Sequence, residues 1–182
     1  MRGKRVSAIA DMAFYKVEHI EYAYIPANIK YIGHQAFANC VNLKQVIWEG
    51  DIHTTVELGH LVFNNCKNLT VVTIKSMLNP GTKDFNNCSN LMGFDCDYVE
   101  SIPSDFFNGC TSLTHLNFTE CGRFNKGSIS GSSVSMIEFS TKAPILCDGT
   151  VEQWIKDGIK ISCSADNPLA ELSYQGVFVY AY

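Results

Sequence analysis

Eight cysteines and five histidines are the side chains in this sequence with the chemistry to bind a metal, close disulfides or form a nucleophilic pair. Their spacing narrows the choice. No two cysteines are separated by two residues, so the CxxC half-site of a zinc ribbon is absent. Cys40, Cys66, Cys88 and Cys110 instead follow one another at 26, 22 and 22 residues, and Val17 holds the same place one interval earlier. A free cysteine packs as a small hydrophobe, so a regular series interchangeable with valine reads as an inward ladder. Cys96 holds a position filled elsewhere by Trp48, Ile74 and Phe118, which again means core. Cys121, Cys147 and Cys163 fall outside the series and are the candidates for a reactive or bridged thiol. All eight are expected to be reduced.

Among the histidines, His34 and His60 share one phase of the same series and are placed to stack on an outer face, unlike His19, His53 and His115. Two imidazoles without a third ligand make a poor zinc site, so a solvated or capping role is expected. A cysteine–histidine catalytic pair needs an exposed thiolate beside an imidazole, and inward cysteines do not provide one. The chain therefore reads as non-enzymatic, with no catalytic residue, no metal site and no cofactor.

What positions these side chains is a repeat. The unit Phe37-x-x-Cys40-x-x-Leu43-x-x-Val46-x-Trp48 returns on Phe63, Phe85 and Phe107, weakly on Phe14 and in worn form on Ser128. The starts are separated by 23, 26, 22, 22 and 21 residues, a period that marks a stacked solenoid. An upstream half runs in phase with it, with Val6 and Ile9, Ile29 and Ile32, Leu58, and Val99 and Ile102. No coil of this length covers its own apolar side, so each must stack on its neighbours. The closing x-apolar-x-apolar alternation predicts one short strand per coil, paired in parallel with the next. Asn42, Asn68, Asn90 and Ser112 precede the ladder leucines and are expected to hydrogen-bond the backbone where the chain turns into that strand. The sequons at Asn68, Asn87 and Asn117 arise from the same consensus, which makes glycosylation the weaker reading.

The strings Ile29-Lys-Tyr-Ile32-Gly33-His-Gln-Ala36-Phe37-Ala-Asn-Cys40-Val-Asn-Leu43-Lys-Gln-Val46 and Ile102-Pro103-x-x-Phe106-Phe107-Asn-Gly-Cys110-Thr-Ser-Leu113 resemble the leucine-rich repeats of BspA-like proteins, over most of residues 5–140. The resemblance implies an α/β repeat solenoid: an arc with a parallel sheet on its concave side and short helices or turns on its convex side. It also implies surface or secreted proteins of gut and oral bacteria, with relatives in parasitic protists, associated with adhesion and host-protein binding. After Ser140 the string Gly149-Thr150-x-x-Gln153-Trp154 resembles the segment that closes the last repeat in that family. Thr150 is a good N-cap for a short helix through Trp154, with Gln153 at the capping-box position. Trp154 would then cover the open end of the core, and Val177–Tyr180 would form a final strand over an otherwise adhesive edge. The expected organisation is a solenoid of about six coils over residues 1–140 and a C-terminal cap over 141–182.

A formal charge of −4 and a pI near 5.7 argue against a general nucleic-acid footprint, and Arg2, Lys4 and Arg5 are too few to change this. No run approaches the length of a membrane span, and Met1-Arg-Gly-Lys-Arg-Val6 lacks the apolar core of a secretory signal. The chain opens inside the upstream half of a coil and is read as an excerpt of a longer protein; a monomer is expected. Two stretches break the period. Residues 49–57 form a connection longer than its counterparts, expected to bulge from one edge, and residues 120–133 are a Gly- and Ser-rich, looser last coil.

Strand alternation turns Val46 and Trp48 inward and their neighbours outward on the concave side. The outward column starts aromatic and apolar at Tyr22, Tyr24 and Ile47, and becomes acidic at Asp95, Asp97 and Glu138 around His115 and Asn117. These eight residues are the candidate binding face for a protein ligand. The alternative is an architectural stalk or spacer that presents another domain.

Overall fold

The computed structural model describes residues 6–51, 53–142, 145–146, 150–163 and 179–181, and in it each repeat makes one coil carrying strands in two parallel ladders. The first ladder begins with β1 (Ala8–Ile9), β3 (Tyr31–Ile32), β5 (Val56–Leu58) and β7 (Ser76–Leu78). The second begins with β2 (Tyr22–Ile25), β4 (Gln45–Trp48) and β6 (Val71–Thr73). They merge in β8 (Gly93–Val99), whose first half pairs with β6 and whose second half pairs with β7. β9 (His115–Cys121), β11 (Met136–Lys142), β13 (Lys160–Cys163) and β14 (Val179–Ala181) continue the same sheet. A small separate pair joins β10 (Arg123–Phe124) to β12 (Ile145–Leu146). The sequence reading gave one strand per coil. The upstream half supplies the second, because Ile9, Ile32 and Leu58 align in register.

The stacking is in register, so like side chains lie over like. Ala23, Val46 and Val72 align on one side of the second-ladder strands, as do Phe94, Leu116, Ile137 and Ile161 farther along. The ladder rings of Phe14, Phe37, Phe63, Phe85 and Phe107 stack at centroid distances of 4.9, 5.4, 5.2 and 5.9 Å, all within 22° of parallel. Val46, Leu43 and Phe63 are fully buried, as is Trp48 at 1% exposure.

The segments around the ladder phenylalanines carry turns, and the one helix among the described residues, Thr150–Asp157, lies in the closing segment. Helices expected on the convex side fail for a geometric reason. In five successive coils the residues two before and two after the ladder phenylalanine have positive φ: Met12 and Lys16, Gln35 and Asn39, Leu61 and Asn65, Lys83 and Asn87, Asp105 and Gly109. This alternation turns every second N–H along the stack, where it donates to the next coil. Gln35, Phe37 and Asn39 donate to the carbonyls of His60, Val62 and Asn64 at 2.8–2.9 Å. An α-helix would direct those N–H groups to carbonyls four residues back in its own chain.

The cysteine ladder is core, and it is also hydrogen-bonded. The thiols of Cys40, Cys66, Cys88 and Cys110 donate to the carbonyls of Phe14, Phe37, Phe63 and Phe85 at 3.0–3.2 Å, one coil back. Burial pushes all four thiols up, Cys110 to about 12. Cys121 and Cys163, the two described candidates for reactivity, are likewise buried and unbridged. Desolvation raises Cys121 to about 12, and its thiol donates to the Arg123 carbonyl. They are buried because β9 and β13 turn them inward, which the broken period hid. Cys147 lies outside the described residues.

The last coils depart from the sequence reading in three places. Ser128 does not fill the ladder slot: it is buried with its hydroxyl donating to Ile102 and Asn125 carbonyls, while Phe107 N–H bonds the Ser128 carbonyl and Ile129 takes the apolar place. The helix α1 runs Thr150–Asp157, one turn beyond Trp154. Among the described residues the capping box does not form: the buried Thr150 hydroxyl has no partner there, and Gln153 donates to the Asp157 carboxylate at 2.8 and 2.9 Å. Trp154 does cover the core, fully buried and edge-on to Phe124 at 5.2 Å. Of the final strand expected at 177–180, the described part is β14; Val177, Phe178, Pro168 and Leu169 lie outside the described residues.

Asp84 sits where other coils carry Ala36, Val62 or Phe106, and it is completely buried. Desolvation raises its carboxyl well above the usual range, partly offset by amides of Val62, Gly81 and Leu61; the Val62 N–H donates to Oδ1 at 3.0 Å. A carboxyl whose folded pKa lies above its unfolded value favours folding least at high pH, the penalty growing as pH rises from 3.8. Asp84→Asn should therefore raise the denaturant midpoint at pH 7, with the gain shrinking as pH falls toward 3.8 and lost below it; an equal gain at pH 3 and pH 7 would contradict this. Phe107→Ala should cost roughly 3–5 kcal/mol in urea unfolding, as for other buried aromatics, and an unchanged midpoint would refute the ring ladder. At pH 8 a thiol reagent should label none of the seven described cysteines in the folded protein. Labelling of Cys88 before unfolding would show the ladder to be open.

Candidate ligand-binding face

The strands of the second ladder and its continuation present two outward rows, each one residue per coil. Register sets Tyr22 beside Gln45 and Gln45 beside Val71, and farther on Gly93 beside His115, His115 beside Met136 and Met136 beside Lys160. The second row runs Tyr24, Ile47, Thr73, Asp95, Asn117, Glu138 and Ser162. Seven of the eight candidate residues fall in these rows, and Asp97 lies two residues beyond Asp95 on the same side of β8. Tyr22 and Tyr24 are 53% and 64% exposed, and Val71, two strands on from Tyr22, is 43% exposed. Ile47, Asp97, His115, Asn117 and Glu138 are half-buried, and Asp95 is exposed.

Electrostatics divides the acidic end. Lys75 lies 3.4 Å from Asp97, whose other oxygen accepts the Thr119 hydroxyl at 3.3 Å. His115 Nε2 lies 3.2 Å from Glu138 Oε2. Both pairs are partly solvated and are worth at most about 1 kcal/mol each, but they occupy two of the three carboxylates. Asp95 has no such partner among the described residues. Lys75 was readable as the opposite charge one coil before Asp97 in the same phase. Gly93 interrupts the first row, and a Cβ built there would meet nothing within 4 Å.

Two other surfaces compete. The 49–57 connection closes on itself: Asp51 accepts from the His53 N–H and the Thr54 hydroxyl, which hold its carboxyl below the usual range, and Ile52 lies outside the described residues. Gly50 is pressed against the Trp48 ring, where a Cβ would come within 2.1 Å. On the far edge an open groove of about 680 Å³ is lined by Tyr31, His34, His60, Asn79, Glu100 and Arg123, among others. There His34 and His60 stack at 5.1 Å and cap backbone: Nδ1 of His34 accepts the His60 N–H, and Nδ1 of His60 accepts the Thr82 N–H, at 2.8 and 3.0 Å. Asn42, Asn68 and Asn90 form a comparable amide ladder beside the strands. Among the described residues no group of three or more metal-ligating side chains converges, and no helix is long and apolar enough to cross a membrane.

Comparison with known proteins agrees with the coil. The chain resembles the crystal structure of a leucine-rich cell surface protein from Faecalibacterium prausnitzii A2-165, with TM-score 0.64 and 20% identity over 90% of this chain and 45% of that one. It resembles the T. pallidum leucine-rich repeat protein with TM-score 0.66 and 20% identity, over 88% and 81%. A leucine-rich repeat protein from Bacteroides ovatus ATCC 8483 gives 0.57 and 22%, over 87% and 45%. The chain therefore spans less than half the length of the first and third of these. No curated protein sequence matches it. The BspA type leucine-rich repeat region matches residues 7–135 in six copies, and the chain belongs to that family.

Proposed function

We propose that this chain is a non-enzymatic protein-binding module, exposed at the cell surface or secreted, that engages its ligand with the concave sheet in an adhesive role. The observation that carries the reading is the exposure of Tyr22, Tyr24 and Val71 on one face of an otherwise well-packed stack. Aromatic residues gathered on one strand face are what the cores of protein interfaces use. The face also changes from apolar to acidic along its length, which gives a ligand both an anchor and an orientation. The family supports a surface-exposed interaction module, and the F. prausnitzii neighbour is described as a cell surface protein. A spacer would need neither feature.

The test is selection of a displayed peptide library on the immobilised chain, followed by titration of the selected peptides against two double variants. Tyr22→Ala with Tyr24→Ala should weaken binding about tenfold or more, independently of salt, as expected for interface anchors. Asp95→Ala with Asp97→Ala should weaken it most at low ionic strength, since exposed charges are screened within about 10 Å at 0.1 M salt. Binding indifferent to both variants would move the site to the far-edge groove or the 49–57 connection, and selection of no peptide would favour the spacer.

A further inference from the structure

Gly93, the first residue of β8, is the one glycine assigned to a strand among the described residues, and nothing in the fold requires it. The other close-packed glycines are explained by their neighbours. A Cβ on Gly33 would fall 2.4 Å from the Asp11 amide, one on Gly59 2.6 Å from the His34 amide, and one on Gly81 1.8 Å from the Gly59 carbonyl. Gly109 and Gly131 adopt φ of +75° and +70°. Gly93 has neither a crowding neighbour nor a positive φ. Glycine at a paired strand position gives up backbone order and a packed side chain, and where no bulge or bend explains it, close approach of a ligand is the remaining use of such a residue.

The surroundings define the ligand. Thr73 pairs with Asp95, which sets Val71 beside Gly93, and His115 pairs with Gly93 on the other side. The missing side chain leaves a slot two strand spacings wide, about 9–10 Å, between an aliphatic wall and an imidazole. Asp95 stands on the same face about 6.5–7 Å along the strand. Asp97 is held by Lys75 and Glu138 by His115, so Asp95 is the carboxylate left for a partner. An unbranched stem with a planar cationic head fits this slot: the stem against Val71, the head over the His115 ring and paired with the Asp95 carboxylate. Resting on the concave-face reading above, we infer that Gly93 and Asp95 receive an arginine side chain of the protein ligand. The apolar anchor at Tyr24 lies three strands from Asp95, about 14–15 Å, which is the span of four residues in an extended chain. The recognised segment is therefore apolar-x-x-x-Arg, extended across the strands with both side chains facing the sheet.

The probe is the blocked peptide Ac-Leu-Ser-Ser-Ser-Arg-NH2, titrated against the ¹⁵N-labelled chain, with Gln in place of Arg as the control peptide. The arginine peptide should shift the amide signals of Gly93 and Asp95 together with those of Tyr22–Ile25. Gly93→Val, which fills the slot with a strand-favouring residue and should melt no lower than the parent, should weaken binding about tenfold, as should Asp95→Asn. Equal shifts from the glutamine peptide, or unchanged binding by Gly93→Val, would overturn the arginine slot. Shifts confined to Tyr22–Ile25 and Gln45–Trp48 would overturn it while leaving the concave face as the binding surface. No shift on any concave strand would overturn the slot as well, and the library selection then decides the concave face itself.

Discussion

In-register stacking is the constraint from which the rest of this structure follows. Each coil must place its phenylalanine over the previous ring, its thiol under the previous carbonyl and its N–H groups toward the next turn, all at one spacing. The thiol suits its slot because it is both a small hydrophobe and a weak donor. It fills space beside the ring and gives a second donor to a carbonyl that already accepts the backbone N–H three residues on. Valine in the first coil can fill the space but cannot donate, and Val17 stands where no preceding coil is described. The left-handed residues on either side of the ring are the backbone counterpart of the same requirement.

This constraint also sets what a reader of the sequence could see. The period, the inward ladder and the concave strands were legible because each repeats side chains of one type at one phase. Half of the turn geometry was legible too, since Asn39, Asn65, Asn87 and Gly109 are residues that tolerate positive φ. The other half was not, because Met12, Gln35, Leu61, Lys83 and Asp105 carry no common signature. Strands of two or three residues in the first ladder are too short to alternate. Ile129 replaced Ser128 in the slot through a one-residue slip, which matching by fixed spacing cannot detect. The thiol donations join residues 25–29 apart and appear only once the coils are stacked.

The binding face was legible as a list and not as a site. Alternation placed Tyr22, Tyr24, Ile47, Asp95, Asp97, His115, Asn117 and Glu138 on one side, but their individual standing depends on lateral neighbours from other coils. Lys75 reaches Asp97 across one strand spacing, and Glu138 reaches His115 in the same way. The acidic cluster thus resolves into two occupied carboxylates and one open one.

The concave rows differ from the core in what holds their identity. An inward residue is tied to two neighbours of its own kind, and a misfit such as Asp84 burdens the fold by burying a carboxyl among apolar contacts. An outward residue bears only on its lateral pairs, so a stack of this kind can vary its face coil by coil with small effect on the core. That freedom makes an unexplained cost on the face more telling than the same cost inside. Asp84 can be absorbed as a local imperfection of one coil, stabilised by three amides. Gly93 lies on a surface where almost any side chain would serve the strand better, and its vacancy sits beside Asp95, the carboxylate of the face left without an ion-pair partner among the described residues. The two facts point to the same spot for independent reasons, one steric and one electrostatic.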